Sequence, residues 1–260
     1  MTEFVLDPNS WMILALVGLL AGFIDAVVGG GGMLTVPALL SAGLPPHLAL
    51  GTNKLSASFA SGTAAYTYFR KKLFDPTFWK HCFYSTFIGA FLGTISVNFI
   101  STEFLNKFLP LVILAVAIYT LFSRVKEVDN SKLPENTLRL RVKQRIQGFT
   151  LGFYDGVSGP GTGAFWVITN MHLYRLNILL SSGIAKAMNF TSNIVALLTF
   201  MYFGQVDWFI GLTMGGCLML GAFIGAHSAI HFGAKFIRPL FIIIVVAMAI
   251  NLGYNAWFSQ

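Results

Sequence analysis

Apolar runs near the length of a bilayer crossing follow one another along most of this sequence, at 11–28, 48–69, 78–100, 108–123, 146–158, 178–203, 208–230 and 239–258. A helix needs about 20 residues to cover ~30 Å of hydrocarbon at 1.5 Å per residue. The runs therefore predict an all-α integral membrane protein with about eight transmembrane segments. Composition agrees, because only 10% of residues are charged, against ~25% in an ordinary soluble domain.

Two further apolar pieces, 33–42 and 162–171, are too short to span alone, at roughly 15 Å each. Each follows a break in the pattern. The first break, "GFIDAVVGGGGM" at 22–33, places Asp25 and then Gly29, Gly30, Gly31 and Gly32 inside an oily stretch. The second, "GFYDGVSGPGTG" at 152–163, aligns with it and pairs Asp25 with Asp155, Gly29 with Gly159 and Gly31 with Gly161. About 30 residues after each break comes a polar cluster inside an apolar run, "GTNKLSASFAS" from Gly51 and "GIAKAMNFTSN" from Gly183, which pair Lys54 with Lys186. The chain thus reads as a first repeat over 1–123, a basic linker over 124–145 and a second repeat over 146–260. Each repeat holds a glycine-broken hairpin and three spanning helices.

The linker sets the orientation. It carries a dense group of Lys and Arg, and the positive-inside rule makes it cytoplasmic. If each hairpin enters the membrane and returns to its starting side, 14 of the 17 basic residues fall on the linker's side. Only Lys107 then lies outside, with Lys54 and Lys186 within the membrane, and both termini are extracytoplasmic. The second repeat is then inverted relative to the first, which is the symmetry of alternating-access carriers. The opening "MTEFVLDPNSW" has no basic n-region, so a cleaved signal is not expected.

Unsatisfied backbone in hydrocarbon is costly, so the glycine runs are expected to face a cavity or packed protein. A helix restarting after such a break aims free N–H groups and the positive end of its dipole at the gap, which suits an anion. Close helix packing is the plain alternative for any one glycine. Four intramembrane charges at ~2.5–3.5 kcal/mol each call for pairing, hydration or neutralisation. Asp25 is expected to pair with Lys54 or Lys186, and Asp155 with the other. Functionally, the lysines supply positive charge for an anion and an aspartate carries a coupling proton. Asn53, Asn189 and neighbouring hydroxyls add hydrogen bonds; Ser and Thr also serve helix packing.

Other classes find little support. Cys82 and Cys217 lie far apart with no ligand-like spacing, and the histidines, His227 and His231 included, form no ligand set, so no metal and no cofactor are expected. No nucleophile elbow or nucleotide fingerprint argues for an enzyme. The formal net charge of +7 is explained by topology rather than by nucleic acid.

"GFIDAVVGGGGMLTVPALLSAGLPPHLALGTNK" and "GFYDGVSGPGTGAF" resemble the sulfite exporter TauE/SafE family of bacterial inner-membrane permeases. The resemblance covers nearly the whole chain and implies transport of sulfur oxyanions or organosulfonates. It carries over Asp25, Gly29 to Gly32, Asn53 and Lys54 in the first repeat, and Asp155, Gly159, Gly161 and Lys186 in the second. The second repeat departs at Pro160, Thr162 and Ala185, so the halves are expected to contribute unequally. The resulting expectation is a secondary transporter of a small anion whose halves rock around a midplane site in the lipid bilayer. Its rivals are a cation-coupled carrier using Asp25 and Asp155, and a non-transporting membrane subunit. The oligomeric state is left open.

Overall fold

The computed structural model describes residues 7–105, 107, 108, 111, 133–233 and 236. The expected segments 108–123 and 239–258, and the linker up to 132, lie essentially outside these residues. Among the described residues the chain is helical with no strand. Its elements are α1 (Pro8–Val27), α2 (Gly32–Ser41), α3 (Pro46–Arg70), α4 (Lys80–Asn98), α5 (Leu138–Val157), α6 (Thr162–Tyr174), α7 (Ile178–Tyr202) and α8 (Trp208–Phe232).

Capping chemistry sets several starts. Pro8 and Pro46 occupy the first turn, where a missing N–H is harmless. Thr137, Asn177 and Asp207 accept from the N–H of Leu140, Leu180 and Ile210. Beside Pro8, the Ser10 hydroxyl donates to Asp7 and holds its carboxyl below the usual carboxylate range. α1, α7 and α8 are long and apolar enough to cross a membrane. α2, at 10 residues, is not.

One boundary differs from expectation. α5 begins at Leu138, so the stretch Leu138–Arg145, expected in the linker, is helical. The Thr137 cap starts it, and Leu, Arg, Lys and Gln are all good helix formers. A hydropathy run does not register a charged first two turns.

Contacts give the helix directions. Gly18 of α1 faces Met214 and Cys217 of α8, while further along Phe23 faces Gly225, so the two run parallel. Trp11 stacks edge-on against Phe209 at 5.1 Å, placing both N-termini together. α3 is parallel to α8, since Leu55 meets Gly211 and Phe59 meets Gly215. α4 and α5 are likewise parallel, with Cys82 at Gly148, Thr86 at Gly152 and Ala90 at Gly156. α3 and α7 are antiparallel, because Gly51 meets Phe200 and Gly62 meets Phe190. α1, α3 and α8 therefore run one way, and α5 and α7, the counterparts of α1 and α3, run the other with α4.

The seams are very close. A Cβ at Gly22 lies 2.1 Å from the Leu218 carbonyl oxygen, and one at Gly93 lies 2.2 Å from that of Phe153. Small residues four apart admit such approach, and without a hydrophobic drive between helices in lipid, this contact holds them together.

These seams divide the helices in a way the sequence halves do not. α8 packs on α1 and α3, and α4 packs on α5 and α7. One body is α1, α2, α3 and α8; the other is α4, α5, α6 and α7; α3 against α7 is the broad helix contact between them. Among the described residues, the fourth helix of each repeat packs on the first helix of the other, so the two repeats interlock.

Candidate functional site

Both hairpin breaks lie where the two bodies meet. Gly29, at φ +88°, has a backbone geometry that side chains resist, and its carbonyl accepts from the Ala164 N–H at 2.8 Å. A Cβ there meets the Gly163 backbone at 2.4 Å, so the hairpin tips touch main chain to main chain. Gly32 faces Pro160 at an ordinary 3.4 Å. Gly31 donates to the Asp25 carboxylate at 3.2 Å. Gly30 is buried, and a Cβ there would make only ordinary contacts, with Met33 at 3.9 Å and Ile24 at 4.0 Å. Gly161, at φ +74°, opens α6.

The expected charge pairing resolves into one of its two forms. Lys54 pairs with Asp155 and Lys186 with Asp25, so each ion pair crosses from one body to the other. Lys54 Nζ donates to the Asp155 carboxylate at 2.8 Å and to its backbone carbonyl at 2.5 Å. Lys186 Nζ donates to the Asp25 backbone carbonyl, with the carboxylate 3.9 Å away. Both aspartates sit in the last turn of their helix, where free carbonyls and the negative end of the dipole favour a cation. The restarting α2 supplies the opposite end to Asp25 through the Gly31 N–H. The lysine side chains are 1% and 0% exposed, which seals both ammonium groups.

Gly159 shows why a glycine stands at the second break. At φ +90°, its missing Cβ would lie 2.8 Å from both Lys54 Nζ and the Asp155 carboxylate. The ion pair fills the space that a side chain needs.

The polar neighbours divide unevenly. Asn53 accepts from the Thr35 hydroxyl at 2.5 Å. The Asn189 amide lies beside Gly163, near the hairpin contact. Thr162 and Ser192 donate to the Asp155 carboxylate. Thr162 appears in the sequence only as a departure from the repeat; its offset of seven from Asp155 gives no helical signal, because the break lies between them. Tyr154, whose hydroxyl donates to the Pro160 carbonyl at 2.6 Å, is equally invisible to motif reading. So is a buried network in which Tyr174 donates to Gln147, and Gln147 to Thr169 and Asn170.

An apolar groove of about 430 Å³ between α4 and α7, lined by Phe87, Phe91, Leu198 and Tyr202 among others, offers almost no polar surface to an anion. Among the described residues, no group of three His, Cys, Asp or Glu could hold a metal.

Residues 14–252 match the family described as sulfite exporter TauE/SafE. The chain belongs to the TauE/SafE family. It is 39% identical to a probable membrane transporter protein, ORF9, of a Sinorhizobium species over 90% of this chain and 88% of that one. It is 37% identical to a probable membrane transporter protein of Haemophilus influenzae over 95% and 96%. The probable membrane transporter protein YfcA of Escherichia coli K12 is 35% identical over 97% and 93%. No solved structure matches the chain. The family and the apolar helices make this a membrane-embedded protein of a transporter family. Within this TauE/SafE member, the hairpin tips touch across the body interface and each ion pair joins the two bodies at the end of a broken helix.

Proposed function

We propose that this protein is a secondary transporter of a small anion, a sulfur oxyanion or sulfonate, working by alternating access in a bacterial inner membrane. The observation that carries the reading is the pair of buried Lys–Asp bridges, each joining one helix body to the other at a glycine break. Static packing alone gives little reason for four intramembrane charges, whose insertion is costly and whose replacement by apolar residues is often neutral or stabilising. A carrier has a use for bonds between its moving parts that open and re-form.

The anion takes the place of a carboxylate on a lysine, and the displaced aspartate takes up a proton. Charge then stays balanced through the cycle, coupling one proton to the movement. The glycine breaks bring main-chain N–H groups to the same place and let the ligand approach the backbone. The substrate class follows the family description, sulfite exporter. The linker is placed in the cytoplasm and the termini outside, by the distribution of Lys and Arg.

The test is thermal stabilisation of the purified protein against sulfite, sulfate, thiosulfate, sulfoacetate, taurine, chloride and sodium. A ligand that binds only the folded state raises apparent stability by mass action. The expected result is a shift with a sulfur anion. A shift with sodium alone transfers the site to the carboxylates, and no shift with any anion defeats the reading.

A further inference from the structure

The two ion pairs are copies in the repeat, yet they are not equally held. Asp155 receives Lys54 at 2.8 Å and the Ser192 hydroxyl, with the Thr162 hydroxyl, shared with the Gly159 carbonyl at 2.7 Å, at 3.1 Å, and its side chain is 3% exposed. Asp25 receives the Gly31 N–H at 3.2 Å and has Lys186 only at 3.9 Å, and its side chain is 14% exposed. The sequence gives the reason. In the aligned repeats Thr162 corresponds to Gly32 and Ser192 to Ala60, so both hydroxyls that fix Asp155 are missing around Asp25.

The surrounding hairpins differ in the same sense. The second break has Pro160, pinned by the Tyr154 hydroxyl, where the first has Gly30 and Ile24. Tyr174, Gln147 and Asn170, which tie α5 to α6, correspond to Leu44, Val17 and Leu40. Proline and side-chain hydrogen bonds narrow the states open to one hairpin, while consecutive glycines widen those open to the other.

We infer that the two bridges have different jobs: Lys186 with Asp25 is the exchangeable bridge at which the anion binds, and Lys54 with Asp155 is a fixed strut between the bodies. This rests on the anion-transport reading and sharpens it from two lysines to one. The ligand is a compact oxyanion that replaces the Asp25 carboxylate on Lys186 Nζ. The hold on each carboxylate decides which one an anion displaces: two hydroxyls of its own body keep the Asp155 carboxylate against Lys54, whereas the Asp25 carboxylate has the Gly31 N–H and only a long contact to Lys186, whose hydrogen bond goes to the Asp25 backbone carbonyl.

The experiment follows anion-induced thermal stabilisation, with sodium sulfite and sodium sulfoacetate as probes, and uptake of the same anions into proteoliposomes. Lys186→Gln is expected to lose the anion shift. Asp25→Asn, freed of its competing carboxylate, is expected to show the shift at severalfold lower anion concentration than the parent. Thr162→Gly with Ser192→Ala loosens the strut without removing a charge, and is expected to lower the melting temperature while keeping the anion shift. Gly32→Thr with Ala60→Ser restores the missing hydroxyls, and is expected to raise the melting temperature and slow uptake by about tenfold or more, the worth of two added hydrogen bonds holding the Asp25 carboxylate in place. A Cβ at Gly32 makes only ordinary contacts, the nearest at 3.4 Å from Pro160.

An anion shift that survives in Lys186→Gln but is lost in Lys54→Gln overturns the assignment and leaves anion transport standing. Loss in both overturns it too, because the bridges are then equivalent. Retention in both lysine variants defeats the anion site itself. Uptake unchanged in Gly32→Thr with Ala60→Ser overturns the exchangeable role of Asp25.

Discussion

Removing either partner of the Lys54–Asp155 bridge strands a charge in a sealed interior, and the structure allows the consequence to be sized. The side chains are 1% and 3% exposed, so water does not reach the survivor. Breaking a buried pair from one side costs about 3–5 kcal/mol, whereas removing both charges is often near neutral. Lys54→Met keeps the length and apolar stem of lysine. Asp155→Asn keeps the shape and still meets the Thr162 and Ser192 hydroxyls. Each single variant is expected to fall in melting temperature by roughly 6–20 °C, taking 2–4 °C per kcal/mol for a chain of this size. The double variant should recover at least half of the summed loss, a coupling of about 3 kcal/mol or more. Thermal unfolding of all four proteins in one detergent, at one pH and one protein concentration, measures the cycle. Single variants within about 2 °C of the parent, or strictly additive losses, would refute the bridge as a strut between the bodies.

The glycines of the first break provide a sharper contrast than their identical letters suggest. Gly29→Ala combines a left-handed backbone with a Cβ 2.4 Å from Gly163, and is expected to lose about 3 kcal/mol or more; Gly30→Ala, whose Cβ makes only ordinary contacts, should stay within about 1 kcal/mol in the same melt. Thr137→Ala removes the cap on the Leu140 N–H and should cost about 1 kcal/mol, read as earlier amide exchange in the first turns of α5 than in the parent.

Much of this was legible in the sequence because the bilayer punishes departures so heavily. Asp25, Asp155, Lys54 and Lys186 stand out since charges at membrane depth demand a reason, and the repeated glycine breaks stand out since helices do not otherwise contain them. What remained hidden is tertiary. Which lysine meets which aspartate depends on how two hairpins from different bodies face each other, and both bridges turn out to join Lys and Asp of opposite repeats. Gly221 and Gly225 carry the small-residue spacing of a close seam, but the spacing does not say that α1 is the partner. The unequal holding of the two carboxylates was present as letters, Thr162 against Gly32 and Ser192 against Ala60. It acquires meaning only once both hydroxyls are seen on Asp155.

The exchange of α8 and α4 between repeats also decides which parts are able to move. A motion separating the sequence halves would have to part α1 from α8 and α4 from α5, where backbone and missing side chains are in contact along several turns. A motion separating the two bodies instead leaves those seams intact and works across α3 and α7, the hairpin tips and the two ion pairs. Crosslinks distinguish these. Gly18→Cys faces the native Cys217 across α1 and α8, with Cβ atoms 3.2 Å apart, a few tenths below the usual disulfide range. Ser61 and Asn193 are in contact at 3.4 Å across α3 and α7, and both changed to Cys accept a short bifunctional thiol reagent in a background without Cys82 and Cys217. Locking α1 to α8 is expected to leave anion transport in proteoliposomes near the uncrosslinked rate. Bridging α3 to α7 is expected to stop it until the link is cleaved. Arrest by the first crosslink with free transport under the second would mean that the halves, rather than the bodies, are the moving parts.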